Sequence, residues 1–486
     1  MELALEGHSQ LAGLSHGLRP VVHYPEVLPE PVLQGDTGVD GYGASIYGSV
    51  LRQDGLFRMW YQAWPRDWDG SDAVAVGCAE SDDGITWRKP PRGLVEYEGS
   101  RDNHLCDLPF HSPSVLVDPT AEPAARYRAF GYTDPKKLSR YDVDVPVRGF
   151  YTASSPDGFH WQVEADAPLW PHADVITSVW DPLEDCARIC LKWNGLCRGM
   201  FRRRFFEATW SNGQATAPRG ALIPDELDDI NARARGFVSA DYYGSSLLPA
   251  GSSMVGVLWN FRHVNPLGYA ENPGMWYGSN GQVDLSIAYQ LERGGRWHHL
   301  LDRPDWLAAS TAPDWARGAL YTASSPIHVG DETWLYFTGT MDWHGWSGVG
   351  EDTRQWRERI APGGGFARIG LLKWPRDRIA GYRADLKERL VLKATEAAAA
   401  DSAGLRLNLV TRPTGSVRVA LTGPDHQPLP GYDFTDCEPL SGSLLNAEVR
   451  WQGKTGLPTV AQGEDLFAVI EMESTELYAF EFRRST

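Results

Sequence analysis

Ser81-Asp82-Asp83-Gly84-Ile85-Thr86-Trp87 returns, altered but recognisable, as Ser155-Pro156-Asp157-Gly158-Phe159-His160-Trp161. Self-similarity at a spacing of this order is the mark of a cyclic or solenoid repeat. Each phrase is a Gly-containing turn that leads into a strand. Fainter echoes follow at Ala208-Thr209-Trp210-Ser211-Asn212-Gly213 and at Tyr289 to Trp297, where Glu292-Arg293-Gly294-Gly295-Arg296 supplies the turn.

A second kind of turn alternates with the first: Arg52-Gln53-Asp54-Gly55, Asp118-Pro119, Asp181-Pro182, Pro249-Ala250-Gly251 and Gly330-Asp331-Glu332. Each follows a short run of small or apolar residues and precedes an aromatic strand, such as Phe57-Arg58-Met59-Trp60-Tyr61 or Thr333-Trp334-Leu335-Tyr336-Phe337. Hairpin followed by turn-plus-Trp hairpin, five times over, predicts an all-β chain: a five-bladed β-propeller of four-stranded sheets around a channel. Helical patterning is confined to Asp225–Ala234 and to 383–400, the latter placed where the repeats stop and read as a linker. Beyond it Leu405–Leu409, Ser416–Leu421, Ala447–Trp451, Leu466–Met472 and Leu477–Phe482 alternate as strands do, which predicts a β-sandwich. The division expected is an N-terminal extension over 1–34, the propeller over 35–382, the linker over 383–400 and the sandwich over 401–486.

The bulk composition agrees with such a chain. At 486 residues it is longer than one core usually serves, and 42% hydrophobic with 22% charged residues is ordinary for a globular protein. Lys+Arg 46 against Asp+Glu 63 gives a net charge of −17, with no basic stripe, so nucleic acid is not an expected partner. There is no run of about 18 apolar residues and no basic start before an apolar stretch, so the expectation is a cytoplasmic protein with no membrane partner. Six cysteines are few for this length; Cys186, Cys190 and Cys197 cluster without a zinc-like spacing and read as packed thiols. No cofactor or metal is indicated by the sequence, which leaves a structural calcium in the channel open.

Met59-Trp60-Tyr61-Gln62, Ala79–Pro90, Ser155–Trp161 and Trp334-Leu335-Tyr336-Phe337, continued by Gly404–Asn408 and Leu477–Phe482, resemble the five-bladed propeller glycoside hydrolases related to invertases and arabinanases, with a C-terminal sandwich. The invertase signatures are missing: there is no Asn-Asp-Pro-Asn-Gly near the start, no Arg-Asp-Pro in blade two and no Glu-Cys in blade three. The resemblance implies a glycoside hydrolase or transglycosidase acting on a small soluble glycoside. Two alternatives stay open: a repurposed propeller enzyme (lyase, cyclase or isomerase) acting on a small metabolite, and a non-catalytic carbohydrate-binding protein.

Propeller topology separates the acidic residues. Asp54, Asp118, Asp181 and Asp331 fall in turns at the end away from the pocket, where their side chains cap local backbone. At the pocket end, inner strands begin near Asp36 and Asp40, Asp107 and His111, His172 and Asp174, and Asp241 and Tyr242; second strands exit at Trp64, Arg66 and Asp67, at Tyr132 and Asp134, at Lys192 and Asn194, at Asn260, Arg262 and His263, and at Asp342 and His344. Glycosidic cleavage requires a proton donor and a second carboxylate. By position the resemblance assigns these roles to Asp40 (nucleophile or base), Asp107 (stabiliser) and Asp174 (acid); the bland reading of each is a loop cap. The expected substrate-binding set is Trp64, Arg66, His111, His172, Tyr242, Asn260, Arg262, His263, Asp342, Trp343 and His344. Arg262 and His263 would hold a carboxylate or phosphate on the ligand or neutralise the acidic ring, and Trp64, Trp68, Trp259, Trp343 and Trp346 would stack on sugar rings or pack blades.

Overall fold

The structure, a computed structural model, describes every residue except 67, 69–74, 173, 198–199, 264–280, 345–364, 395–403, 459–463 and 484–486. Asp67, Trp346 and part of the expected linker therefore lie outside the described residues. The rest is almost entirely β, with one nine-residue α-helix, Glu226–Ala234, where the sequence predicts it, capped by the Asp225 side chain.

Successive antiparallel sheets follow the repeat. Blade one is Gly43–Gln53, Leu56–Trp64 and Ala75–Ser81; blade two is His111–Val117, Tyr127–Thr133, Gly149–Ser155 and Gln162–Val163. Blade three runs from Ile176–Asp181 through Cys186–Cys197 to Met200–Ser211, edged by Gln214–Ala215 and Arg219–Leu222. Blade four is Ser239–Ala250, Ser253–His263 and Gly281–Gln290, edged by Trp297–His299 and Asp305–Leu307. Blade five comprises Ala319–Thr322, Ile327–Val329, Glu332–Thr340 and Ala367–Pro375, and its outermost strand, Glu26–Val27, comes from the N-terminal segment.

The ring closes through its inner strands. Val115 N–H donates to Ser49 Oγ (2.8 Å), Ser114 meets Ser178 (2.7 Å), Thr177 donates to the Ser245 carbonyl, Leu247 N–H to the Ser324 carbonyl (2.9 Å) and Ser324 N–H to the Gly48 carbonyl (2.9 Å). Each contact joins one blade to the next, and the last returns from blade five to blade one. Small residues at these positions let the five strands approach closely enough to bond.

The repeated phrase explains itself at this level. Gly84 and Gly158 have positive φ (74° and 84°), and the Ser81 and Ser155 hydroxyls accept from their N–H groups (2.8 Å each). Asp83 takes the N–H of Ile85 and Thr86, which holds its carboxyl down to about 2; Asp157, where burial opposes ionisation, is held at about 2 by His160 and Phe159. A Cβ on Gly158 would fall 2.7 Å from Trp60, and one on Gly84 2.8 Å from Trp334 and Tyr336. Trp60 of blade one donates to the Gly158 carbonyl of blade two (2.6 Å), and Tyr336 of blade five to the Gly84 carbonyl of blade one (2.7 Å). The aromatic strand of one blade thus receives the turn of the next, and apolar clusters fill the seams between blades.

After the propeller the chain forms an eight-stranded system around its own core, in which Leu390, Leu405, Leu407, Val419, Trp451, Ile470 and Phe480 are buried. Two long strands, Gly404–Thr422 and Phe467–Arg483, pair along their length but shift register between Thr411 and Ser416. On one side of that break they pair with Ala380–Ala384, which in turn carries Arg19–Val22, and with Glu2–Leu3 and Ser443–Glu448; on the other they pair with Glu388–Lys393, which carries Leu11–Leu14. The same two strands serve both layers, the bend that makes a sandwich. Four short runs expected from the sequence are thus two long bent strands, and the third expected strand, Ala447–Trp451, lies earlier, at Ser443–Glu448. The stretch read as a linker carries a strand, Glu388–Lys393, because Leu390 and Leu392 point into this core; burial overrides its helix-favouring composition. No helix among the described residues is long and apolar enough to cross a membrane.

Candidate active site

Bulges at the pocket end of the inner strands decide which side chains face the channel. Register shifts occur between Ser45 and Ser49, between His111 and Ser114, and between Tyr242 and Gly244. An extra residue reverses the alternation of faces, and bulges gather beside active sites for that reason. Here they present Tyr47, His111 and Tyr243. Blade five adds Tyr321, whose ring lies 4.9 Å from that of Tyr47 and 5.7 Å from that of Tyr243. Trp259 underlies the trio, 5.7 Å from Tyr47 and 5.6 Å from Tyr321, and is fixed by its Nε1–H bond to Thr322 (2.8 Å).

Asp174, at the start of blade three, completes the ring. Its side chain keeps 38% of its surface open to solvent, whereas Lys192, its ion-pair partner, keeps 3%. Burial would push the Asp174 carboxyl up, but Lys192, His111 and Arg203 outweigh it and hold the group well below the usual carboxylate range. The three tyrosines shift the other way: burial, with Asp174 among the contributing charges, keeps their hydroxyls protonated. Lys192 Nζ sits 4.0 Å above the ring of Tyr243.

Two histidines beside this centre, His344 and His172, are held in neutral form. His344 contacts Tyr321 OH through Nδ1 (3.0 Å), and burial, aided by Arg203 and Lys192, lowers it to about 3. His172 stacks on Trp193 (4.1 Å) and accepts the Asn194 N–H (2.9 Å); burial and Lys192 bring it to about 4. Gln62 Nε2 is in hydrogen-bond contact with His111 Nδ1 (2.7 Å), which fixes the ring. Asp241 is buried and takes Arg202 (2.8 Å), Arg203 (3.2 Å) and His263 (2.9 Å).

Of the residues expected from the sequence, Asp174, His111, His172 and His344 come together, with His263 behind them through Asp241. Asp40 does not join them. It is fully buried; its Oδ1 accepts from Asp36 N–H (3.2 Å), Thr37 N–H (2.9 Å) and Thr37 Oγ1 (2.6 Å), and its Oδ2 from Tyr61 (2.8 Å) and Lys89 (2.6 Å), with His104 at 3.5 Å. Asp107 accepts the Trp161 N–H (2.7 Å) and anchors the blade-two turn; burial pushes its carboxyl up. Tyr242 points outward, donating to Asp228 (2.6 Å), because the bulge gives the channel position to its neighbour Tyr243. Arg262 is buried and held by Asp284 and Asp305, so neutralisation rather than ligand charge accounts for it. Asn260 is buried in the same strand, and Arg66 is exposed, with its backbone N–H donating to the Gly38 carbonyl (2.9 Å). Trp64 packs edge-on against Trp68 (4.9 Å) and Phe366 (5.1 Å) beside Tyr42. Trp343 is 38% exposed, 5.8 Å from Phe237, and the Asp342 carbonyl accepts from Thr340 (2.8 Å).

Sequence reasoning missed Tyr47, Tyr243 and Tyr321. A signal exists: Tyr47-Gly48-Ser49, Tyr243-Gly244-Ser245 and Tyr321-Thr322-Ala323-Ser324 each set a tyrosine before small residues that bond the neighbouring blade. His111-Ser112-Pro113-Ser114 is the blade-two counterpart. Among the described residues no group of three or more His, Cys, Asp or Glu side chains forms a metal cage.

No family model and no curated protein matches this sequence. Among solved structures, the chain is similar to a glycosyl hydrolase from Bacteroides ovatus (10% identity, 78% of this chain and 95% of that one, TM-score 0.44). It is similar to a family GH32 β-fructofuranosidase from Bombyx mori (11% identity, 94% of both chains, TM-score 0.40) and to a family 43 arabinoxylan arabinofuranohydrolase from Bacillus subtilis (9% identity, 94% and 98%, TM-score 0.41).

Proposed function

We propose that the chain is a glycoside hydrolase or transglycosidase for a small soluble glycoside, with its reaction centred on Asp174. The observation that carries this reading is one partly exposed, ionised carboxylate ringed by polar and aromatic groups from all five blades. Protonated tyrosine hydroxyls and neutral imidazoles supply donors and acceptors for sugar hydroxyls, and the Tyr47, Tyr243 and Tyr321 rings supply apolar faces for its CH groups. The sequence reading casts Asp174 as the acid. Lys192 and Arg203 favour its ionised form, which suits a base that activates water or a nucleophile at the anomeric carbon, while a protonated tyrosine hydroxyl of the trio supplies the proton to the leaving oxygen.

A second reading draws on the Asp174–Lys192 pair, two proton-transfer groups in contact, which also fits an elimination or isomerisation of a sugar-like metabolite. Incubation with a panel of short glycosides, followed by chromatography and mass measurement, separates the readings. Released monosaccharide or a transfer product supports the first, and a product of unchanged mass or of mass reduced by one water supports the second. Unchanged ligand that binds without turnover leaves carbohydrate binding alone.

A further inference from the structure

Lys192 comes from the second strand of blade three, Asp174 from the connection that precedes the first, and Tyr243 from the inner strand of blade four. The Lys192 ammonium meets all three requirements of a clamp. It is buried, it pairs with the carboxylate, and its other side rests on the Tyr243 ring face at 4.0 Å, so that its position is set by two blades at once. Its own N–H is tied to the Val175 carbonyl (3.0 Å), which fixes the strand on which it stands next to Asp174. We infer that Lys192 is a positioning residue of this site, which orients the Asp174 carboxylate and sets the pH below which the pocket stops working. The inference rests on the reading of Asp174 as the reacting carboxylate.

Other charges face the pair from each neighbouring element, and they decide whether Lys192 dominates. His111 acts from blade two, His172 from the connection into blade three, Arg203 from the third strand of blade three, and His344 from blade five. Tyr47, Tyr243 and Tyr321 face Asp174 as neutral hydroxyls, with Tyr132 further out. Asp241 is the second carboxylate acting on Lys192, but Arg202, Arg203 and His263 hold it. Arg203 is therefore shared between two carboxylates, and the two histidines with resolved shifts are neutral near pH 7. Lys192 is in direct ion-pair contact with Asp174.

The test is a carboxyl titration of the full chain labelled with 13C-carboxyl aspartate, in which Asp174→Asn identifies the Asp174 resonance. In the unaltered protein that resonance is expected to stay ionised well below the ordinary aspartate midpoint of about 3.9. In Lys192→Met its midpoint is expected to rise by about 1–3 pH units, and Lys192→Arg is expected to restore the low value. If Lys192→Met does not fold, Lys192→Gln reads the same shift. A folded Met or Gln variant whose Asp174 titrates as in the unaltered protein overturns the inference. Should the midpoint move as expected while Asp174→Asn keeps full turnover, the role given to Lys192 stands and the reading of Asp174 as the reacting group fails. With both readings right, the acid limb of kcat/KM moves up with the carboxyl midpoint.

Discussion

Asp40 and Asp174 both precede an inner strand, and from sequence they look alike. Their surroundings differ in solvent and in partners. Asp174 keeps part of its surface open and pairs with Lys192, whereas Asp40 has none open and sits among backbone N–H groups, two hydroxyls and Lys89. A carboxylate so enclosed organises the loop from Gly35 to Gly43, where Gly43 N–H also bonds the Asp40 carbonyl (2.9 Å). Asp40→Asn is therefore expected to lower unfolding stability by about 1–3 kcal/mol, since the largely buried Lys89 keeps only the exposed Asp36 as its charge partner and the enclosed acceptor of Thr37 and Tyr61 is weakened. Urea denaturation checks this, and turnover per folded molecule should stay within a few-fold of the original. A catalytic loss without loss of stability would return Asp40 to the chemistry.

At the scale of the element, the blades were legible because turn chemistry and aromatic strands repeat. The Ser-x-Asp-Gly turn specifies its own geometry through the hydrogen bonds of Ser81 and Asp83, so reading it needs no knowledge of the rest of the chain. The pocket was only partly legible. His111, His172, Asp174 and His344 lie where strand ends place them, but a bulge cannot be seen in a strict two-residue alternation, and it exchanged Tyr242 for Tyr243. The sandwich boundary failed for a related reason, since only the core shows that Leu390 and Leu392 belong to a strand. The bulge in blade one offers a test. A Cβ on Gly48 would lie 1.9 Å from the Trp60 carbonyl oxygen, and the Gly48 carbonyl closes the ring to Ser324. Gly48→Ala should cost about 1–3 kcal/mol by thermal or urea unfolding and should weaken turnover through Tyr47. A variant as stable as the original would show that the bulge relaxes freely.

Over the whole molecule, the N-terminal segment is a tie rather than an appendage. Glu26–Val27 completes blade five, Leu33 bridges to Ile369, and Arg19–Val22 extends the sandwich. Removing residues 1–34 should bare the edge of Ala367–Pro375 and yield aggregated protein; a soluble, monomeric truncation would contradict this. Stability should also depend on acid. Burial lowers His172 and His299 to about 4 and His344 to about 3, so below about pH 6.5 the unfolded chain binds protons that the folded chain refuses. Their contribution is complete above about 6.5 and is lost as pH falls toward 4; a Tm that stays level from pH 7 to 4.5 would refute it. The proposed reaction depends on Asp174. Product release from a panel of short soluble glycosides, measured for the unaltered chain and for Asp174→Asn at matched Tm, should show turnover that falls by about 10²–10⁴-fold in the variant. Equal turnover in the two proteins, or no turnover of any glycoside by the unaltered chain, would contradict it.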